Sequence, residues 1–588
     1  MPDQMALRLQ GLLQQVKDRR TNSVEQDWLL ANAAWKNKRV RGHYRSSTFD
    51  YRIPMMRRAI ERSVIRAVKI VIPGAQFFEV HPGNEWDLQN SKQADSVRAY
   101  MLYLTSERML MRRLITATCR SLLLYGQATI KTGVRIENRE VWPYARPVDT
   151  FSYYVWPETA TLPSDYQLVF EEHMMPWAQY ERERALLPEH IKRIQQGDLV
   201  APTWAPHVTQ RLSYSGLTEP TESGMATTET PARPMERFLS ITEVWLLAED
   251  GWLQVWVLWN HKDGAQIIRN HRSEYTWPPY WTALARPMAG EYYTNGQGQD
   301  LEGLDVWFND VVNQMEEART IAALPPALVD PDEAPRTDEL PYGPRKVWKL
   351  KKEFTGLLEV PDTSAGSMRV VQLLMGLINS IGGSGQIAEG QPGRNMPRAG
   401  YAVSQLVSLG MADIEDTALL LEQECLTPML KDLYRLTVEF MPRGQLIQIP
   451  GTEAFPDPRT LTAGELRGGW DFQWSGSLQS QDAQMRSQKL LSFAQVLVQA
   501  SPWMQQAGYQ VNWPDLVKMI WRDGLGERGL EKIVVRASPM QQGPDEGGGV
   551  PGAGGGGTGV PGRVPASPED MERQLSRQFA SMAGGTPG

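Results

Sequence analysis

The stretch LEGLDVWFNDVVNQMEEA at 301–318 constrains this chain more than any other segment. Leu301, Leu304, Phe308, Val311, Met315 and Ala318 recur at alternating steps of three and four, which places them on one helix face that needs neighbours to cover it. Beside this seam run Glu302, Asp305, Asn309 and Glu316, with Asp310 and Glu317 nearby and only Arg319 opposing them. In a lone segment, such acids would read as a solvated helix face. Here the helix runs straight into Pro325-Pro326, and a basic element and two further helical patterns follow, so the acids invite a use.

A chain of 588 residues is too long for one core, and several domains are expected. Hydrophobic content of 41% and a mean hydropathy of −0.41 fit a soluble globular protein. No apolar run approaches the roughly 18 residues of a membrane span, and the N-terminus carries no basic-then-apolar leader. The expectation is a cytoplasmic origin, without membrane insertion or secretion. Cys119 and Cys425 each fall in a helical pattern and are expected to be buried apolar fillers in a reducing compartment rather than a disulfide framework. A net charge of −7 argues against a protein that wraps nucleic acid in a basic surface, so any DNA partner would be handled loosely. The 45 Arg far outnumber the 16 Lys, yet four of those Lys fall at 346, 349, 351 and 352. Twenty Trp suit large buried contacts, within cores and between chains.

Along the chain, residues 5–40 and 51–72 read as helices. The second sets Arg57, Arg58, Arg62 and Arg66 against an apolar stripe that includes Ile60, Val64 and Val68, and Pro73-Gly74 stops it. A short strand at 77–80 precedes a long amphipathic helix over 88–124, and β-like pieces fill 127–175. Residues 200–235, rich in Pro, Thr, Ser and Gly, read as a surface loop or linker. Asp250-Gly251 and Asp263-Gly264 then punctuate three apolar runs, which predicts a β-meander. Beyond it come a helix at 299–323, a Pro- and acid-rich insertion at 325–345, the basic β element RKVWKLKKEFTGLLEV, a return helix at 364–381 and a Gly-rich loop at 382–397. A helical pattern over 398–441 follows, with a kink expected at Pro428. Strands and loops are expected over 443–478 and short helices over 479–535. The Gly/Pro-rich tail from about 541 should be disordered, except for a short helix begun by Ser567-Pro568.

Catalytic patterns are weak. No phosphate-binding Gly-x-x-x-x-Gly-Lys-Ser/Thr loop is present. Gly383, Gly385 and Ala388 imitate a dinucleotide fingerprint but follow a helical pattern instead of a strand. The seven His lack metal-ligand spacing, and Asp332-Glu333 sits in the Pro-rich insertion, where a solvated loop explains it. The expectation is a protein that is not an enzyme, with no metal and no cofactor.

The ordered set resembles the portal protein, or head-to-tail connector, of tailed double-stranded-DNA bacteriophages of the short-tailed type. The residues that carry the likeness are YYTNGQGQDLEGLDVWFNDVVNQMEEARTIAALPPALVD at 292–330 and AVSQLVSLGMADIEDTALLLEQECLTPMLKDLYRL at 402–436. The order of elements matches over most of residues 50–535, with no single diagnostic motif. The resemblance implies an α+β, mainly α subunit: wing at 1–295, stem helix at 296–324, clip at 325–362, return stem helix at 363–381, tunnel loop at 382–397, wing helix and strands at 398–470, crown at 471–537 and a tail at 538–588 with a short helix at 568–582. It further implies a homo-oligomeric ring of twelve at one capsid vertex of the virion, assembled in the host cytoplasm, through which DNA is packaged and ejected. Implied partners are the terminase large subunit, tail adaptor or head-completion proteins, and a major capsid or scaffolding protein.

On that basis Glu302, Asp305, Asn309 and Glu316 are expected to line the channel, where negative walls let phosphates slide. Leu301, Leu304, Phe308, Val311 and Met315 are expected to pack between subunits. Gln386, Arg394, Asn395 and Arg398 fall where tunnel loops approach DNA; the two arginines either touch phosphates or bind carboxylates near the long helix. Arg345, Lys346, Lys349, Lys351 and Lys352 form the expected clip docking patch, or serve solubility. A reading from another class is a non-phage oligomeric scaffold or adaptor with an acidic helical bundle.

Overall fold

In a computed structural model, the structure describes residues 4–38, 49–74, 77–82, 88–137, 140–200, 211, 238–323, 327–329, 347–349, 356–357, 364–382, 412–440, 447–449, 459–461 and 468–474. The chain divides into two units, 1–528 and 529–588, and every described residue lies in the first.

The N-terminal helical pattern is two helices, α1 (Gln4–Asn22) and α2 (Glu25–Trp35). They part because the Arg20 carbonyl accepts from both Ser23 N and Val24 N at 3.1 Å, closing a turn where the single expected helix would have continued. Helix α3 (Met55–Val71) follows, then strand β1 (Phe78–Pro82). The pattern over 88–124 is also split. α4 (Leu88–Tyr103) runs into a π turn at Leu104–Arg108, and α5 (Met111–Tyr125) restarts after Leu110, whose φ is 50°. Thr105 and Ser106 donate their hydroxyls to the carbonyls of Met101 and Leu102, taking acceptors that the helix ladder would have used.

Two sheets follow. β2 (Gln127–Glu137), β3 (Glu140–Val148) and β9 (Tyr280–Leu284) form one in the order β3-β2-β9. β4 (Tyr153–Trp156), β5 (Leu168–Pro176), β6 (Phe238–Ala248), β7 (Gly251–Leu258) and β8 (Gln266–Arg272) form a second in sequential, antiparallel order, with α6 (Trp177–Leu186) between β5 and β6. The β6–β7 turn is Glu249-Asp250, and Gly251 opens β7 at φ 121°. Side chains alternate across this sheet. Tyr154, Phe170, Val244 and Val255 bury against Leu9, Leu13 and Val16 of α1, while Tyr153, Val155, Val169 and Trp245 bury on the opposite face with Tyr280 of β9.

The larger core gathers α2, α3, α4, α5 and the helices C-terminal to the sheets. These are α7 (Gln297–Ala323), α8 (Ser364–Ile381), α9 (Ala412–Leu420) and α10 (Thr427–Phe440). Between α7 and α8 lie three short strands, β10 (Ala327–Val329), β11 (Val347–Lys349) and β12 (Gly356–Leu357), joined in the order β11-β10-β12. Strands β13 (Ile447–Ile449) and β14 (Arg459–Leu461) pair with each other, and β15 (Trp470–Trp474) pairs with β1.

The kink expected at Pro428 is a π turn over Leu421–Leu426, immediately before α10. Proline lacks the N–H that would close the preceding helical turn, and one extra residue in that turn absorbs the mismatch. Cys119 and Cys425 are both free and buried.

Candidate functional site

Helix α7 begins where the end of α5 leaves no room for side chains. Gly126 closes α5 at φ 81°, and the Thr294 hydroxyl donates to its carbonyl at 3.0 Å. A Cβ on Gly298 would stand 2.4 Å from the Leu124 carbonyl oxygen, so only glycine admits this approach. At 27 residues α7 is about 40 Å long.

One stripe of α7 grips the main chain of the segment that enters α3. Asn313 accepts from Tyr51 N at 2.8 Å and donates to Tyr51 O at 3.0 Å. Asn309 repeats the pattern on Ile53, at 2.7 and 3.3 Å. Asp305 accepts from Met56 N at 2.8 Å, satisfying a donor in the first turn of α3. A step of four on a helix rises about 6 Å and two residues of extended chain about 6.6 Å, so the two repeats stay in step. The three side chains therefore read backbone alone. Asn is a poor helix former, and its recurrence with Asp at 305, 309 and 313 is the sequence signal that could have revealed this ladder.

The ladder corrects part of the expected channel lining. Asp305 is only 4% exposed, enclosed by its own chain, and Asn309 is half-buried with its amide committed to Ile53. Neither is free to face a bore. Burial pushes the Asp305 carboxyl up to about 6 against the opposing pull of the Met56 N–H. Glu302 and Asp310 line a cleft between α7 and the end of α2, together with Lys38 and Arg52. Glu316 is half-buried and lies 3.8 Å from the Arg319 guanidinium.

The apolar seam is corrected as well. Leu301 and Phe308 are buried in the chain's own core, and Leu304 and Val311 pack half-buried against the same cluster; Met315 is half-buried. The neighbours of Leu301 and Phe308 come from the rest of this chain, and the buried face of the pattern over 398–441, including Ile414, Cys425 and Leu433, is likewise covered from within. What stays uncovered lies elsewhere on the helix pair. Trp307 of α7 is 50% exposed, and α8 buries Val371, Leu374 and Ile378 while leaving Met368, Leu373 and Leu377 exposed, Leu373 at 59%.

A second polar centre escaped the sequence altogether. Glu171 of β5 and Glu243 of β6 stand directly opposite each other in register. Lys131 of β2 reaches across from the other sheet to both, at 2.9 and 2.6 Å. Arg146 and the Tyr280 hydroxyl also donate to Glu171, and Trp245 Nε1 and Gln254 Nε2 donate to Glu243, each at 2.8 Å. Burial alone would raise the Glu171 carboxyl; Lys131 and Arg146 outweigh it and hold that carboxyl below its ordinary value. Burial would likewise lower the Lys131 ammonium, but the two glutamates hold it above. His173 beside them is kept neutral, its proton affinity lowered by burial. With Lys131 and Arg146 paired to Glu171 and Glu243, the cluster ties the two sheets together.

Gln386, Arg394, Asn395 and Arg398 lie outside the described residues, as do Arg345, Lys346, Lys351 and Lys352; Lys349 ends β11. The expected short helices over 479–535 and the tail also fall outside them. Among the described residues no group of three or more His, Cys, Asp or Glu is placed to hold a metal ion, and no helix is long and apolar enough to cross a membrane. No protein-family model and no curated protein matches the chain.

Proposed function

We propose that this chain is the subunit of a ring-shaped portal, the channel and docking platform for double-stranded DNA at one vertex of a bacteriophage capsid. The observation that carries this reading is the helix pair α7 and α8, which packs into the core through Leu301, Phe308, Leu374 and Ile378 and leaves Trp307, Met368, Leu373 and Leu377 uncovered. Large apolar side chains left exposed on a packed helix pair, with Leu373 and Leu377 one helical turn apart on the same face of α8, call for a partner, and identical copies in a closed ring provide one at every interface. The order of elements supports the same reading: a long helix, a small three-stranded sheet, a return helix packed on the first, and a further helical stretch interrupted by a π turn.

In this proposal Glu316 is the acid of the expected set left for the channel, because Asp305 and Asn309 are occupied by the α3 entry segment and Glu302 lines the cleft beside it. The docking surface for the packaging motor and tail adaptors is the basic element at 345–352. Electron microscopy of the purified protein tests the assembly. A ring with a central hole is expected; a compact monomer or an open filament would overturn the proposal. Leu373→Asp with Leu377→Asp should shift sedimentation from the ring to the single subunit, and rings unaffected by that pair would place the interface elsewhere.

A further inference from the structure

The cationic face of α3 and α5 has no part in the ring contacts proposed above. Arg58, Arg62, Arg66 and Lys69 recur at steps of four, four and three, which sets them on one face of α3 over about 16 Å. Arg58 and Lys69 at its two ends are exposed. Helix α5 lies alongside, tied by a two-pronged bridge in which Arg120 donates to Glu61 at 2.8 and 3.0 Å. Arg113 stands two turns before Arg120 on the same face of α5 and is exposed, as is Arg112 beside it.

Two of these guanidiniums are held in place. Trp35, at the end of α2, has Arg57 5.3 Å and Arg120 5.6 Å from its ring centre, and Arg57 also donates to the Trp35 carbonyl at 2.7 Å. Arg62 and Arg66 are half-buried and engaged within the chain, so the exposed cations of the two helices beyond Arg57 are Arg58, Lys69, Arg112 and Arg113. This concentration stands out in a chain of net charge −7.

The face favours phosphate over a protein surface. Planar guanidinium forks match phosphate oxygens in pairs, and three of those four exposed cations are Arg. A protein interface would want apolar or aromatic anchors at its centre, whereas Ile65 is the one large apolar side chain exposed on α3. We propose that the α3–α5 face binds the phosphate backbone of double-stranded DNA without sequence preference. This stands on the placement of charge alone and does not require the ring.

Anisotropy of a labelled duplex of about 30 base pairs, titrated with the full chain over a series of salt concentrations, tests the proposal. Removing four exposed cations in the variant R58S/K69S/R112S/R113S should make the slope of log affinity against log salt shallower by about three to four, and lower affinity at least about a hundredfold at 100 mM salt. The charge-preserving variant R58K/R112K/R113K should keep the slope and lose only a few-fold in affinity, so a folding defect in the first variant would not decide the matter. Absence of wild-type binding at about 50 mM salt, or the same slope in wild type and the serine variant, would overturn the proposal. Polyglutamate displacing the duplex as well as unlabelled DNA does would assign the face to an acidic protein instead.

Discussion

Two buried polar centres of this protein, the α7 ladder and the ionic cluster at the sheets, solve the same problem by different means. Along α7, Asp305, Asn309 and Asn313 bind the main chain of residues 51–56, so the contact specifies where a segment lies and is blind to its side chains. At the junction of the sheets, Lys131 meets Glu171 and Glu243 side chain to side chain, so the contact specifies which residues must be present. The amides leave at most a neutral group unpaired when they are removed. The ionic cluster leaves a charge, and an uncompensated buried charge is far more expensive than an unpaired amide.

The largest effect should therefore come from Lys131→Met, which leaves two facing carboxylates in the interior. It should destabilise the protein by about 3 to 5 kcal/mol in urea unfolding. Changing Glu171 and Glu243 to Gln in the same chain should recover more than half of that loss. A mild effect of Lys131→Met alone would mean that the cluster is hydrated and that the contrast with α7 is false.

Asn313→Ala comes next. Asn313 has no exposure while Tyr51 is half exposed, so losing its bonds to both backbone groups of Tyr51 should cost about 1 to 2 kcal/mol, whereas Asn309→Ala, nearer to water, should lose about 1 kcal/mol or less. Equal losses at the two positions would show that burial does not grade the ladder.

Acid should separate the two centres by sign. Glu171 has its folded proton affinity depressed, so its contribution is present above the unfolded value near 4.5 and is lost as pH falls below it. Neutral, buried His173 adds to the loss as the unfolded chain takes up protons below about 6.5. Asp305 runs the other way. Its folded value of about 6 lies above the ordinary 3.8, so at neutral pH it weakens the fold, and that penalty is relieved as pH falls from about 6 toward 3.8. Asp305→Asn should be more stable than the parent by about 1 to 2 kcal/mol at pH 7, with the gap closing across that window in urea midpoints. A gap that does not change with pH would show that Asp305 is not a titrating buried carboxylate.

The smallest effect sets the baseline for both. Lys431 and Asp471 pair at 2.7 Å with both side chains more than half exposed, and Lys431→Ser should move stability by less than about 0.5 kcal/mol. A larger change would mean that charge pairs in this protein gain strength without burial.

Periodicity made the elements legible but not their surroundings. The span of α7, the β-meander around Gly251 and Gly264 and the return helix α8 all follow from spacing and turn residues. The breaks at Ser23, at Thr105 and before Pro428 were missed or misjudged because each is set by hydrogen bonds that compete within one turn, and apolar spacing carries no record of them. The exposed apolar residues were misplaced for a related reason. Leu301 and Phe308 looked uncovered in isolation, but α2, α3, α5 and α8 close over α7, and Leu373 of α8 is left outside.

By itself the sequence determined which residues share a helix face or a strand face, because that depends only on local geometry: 3.6 residues per turn, two per pleat, and the turns that Gly, Asn and Asp permit. It thereby determined that Asp305 and Asn309 lie side by side on α7, and that Glu171 and Glu172 point to opposite sides of β5. Only the tertiary structure decided what each face meets. Asn309 and Asn313 find Ile53 and Tyr51 across 256 and 262 residues of sequence, and Lys131 finds Glu243 across 112. The cations of α3 and α5 become one surface only because the helices pack and Arg120 reaches Glu61. Such partners are chosen by which arrangement buries the most apolar surface while leaving no polar group unpaired, a condition on the whole chain that no local window contains.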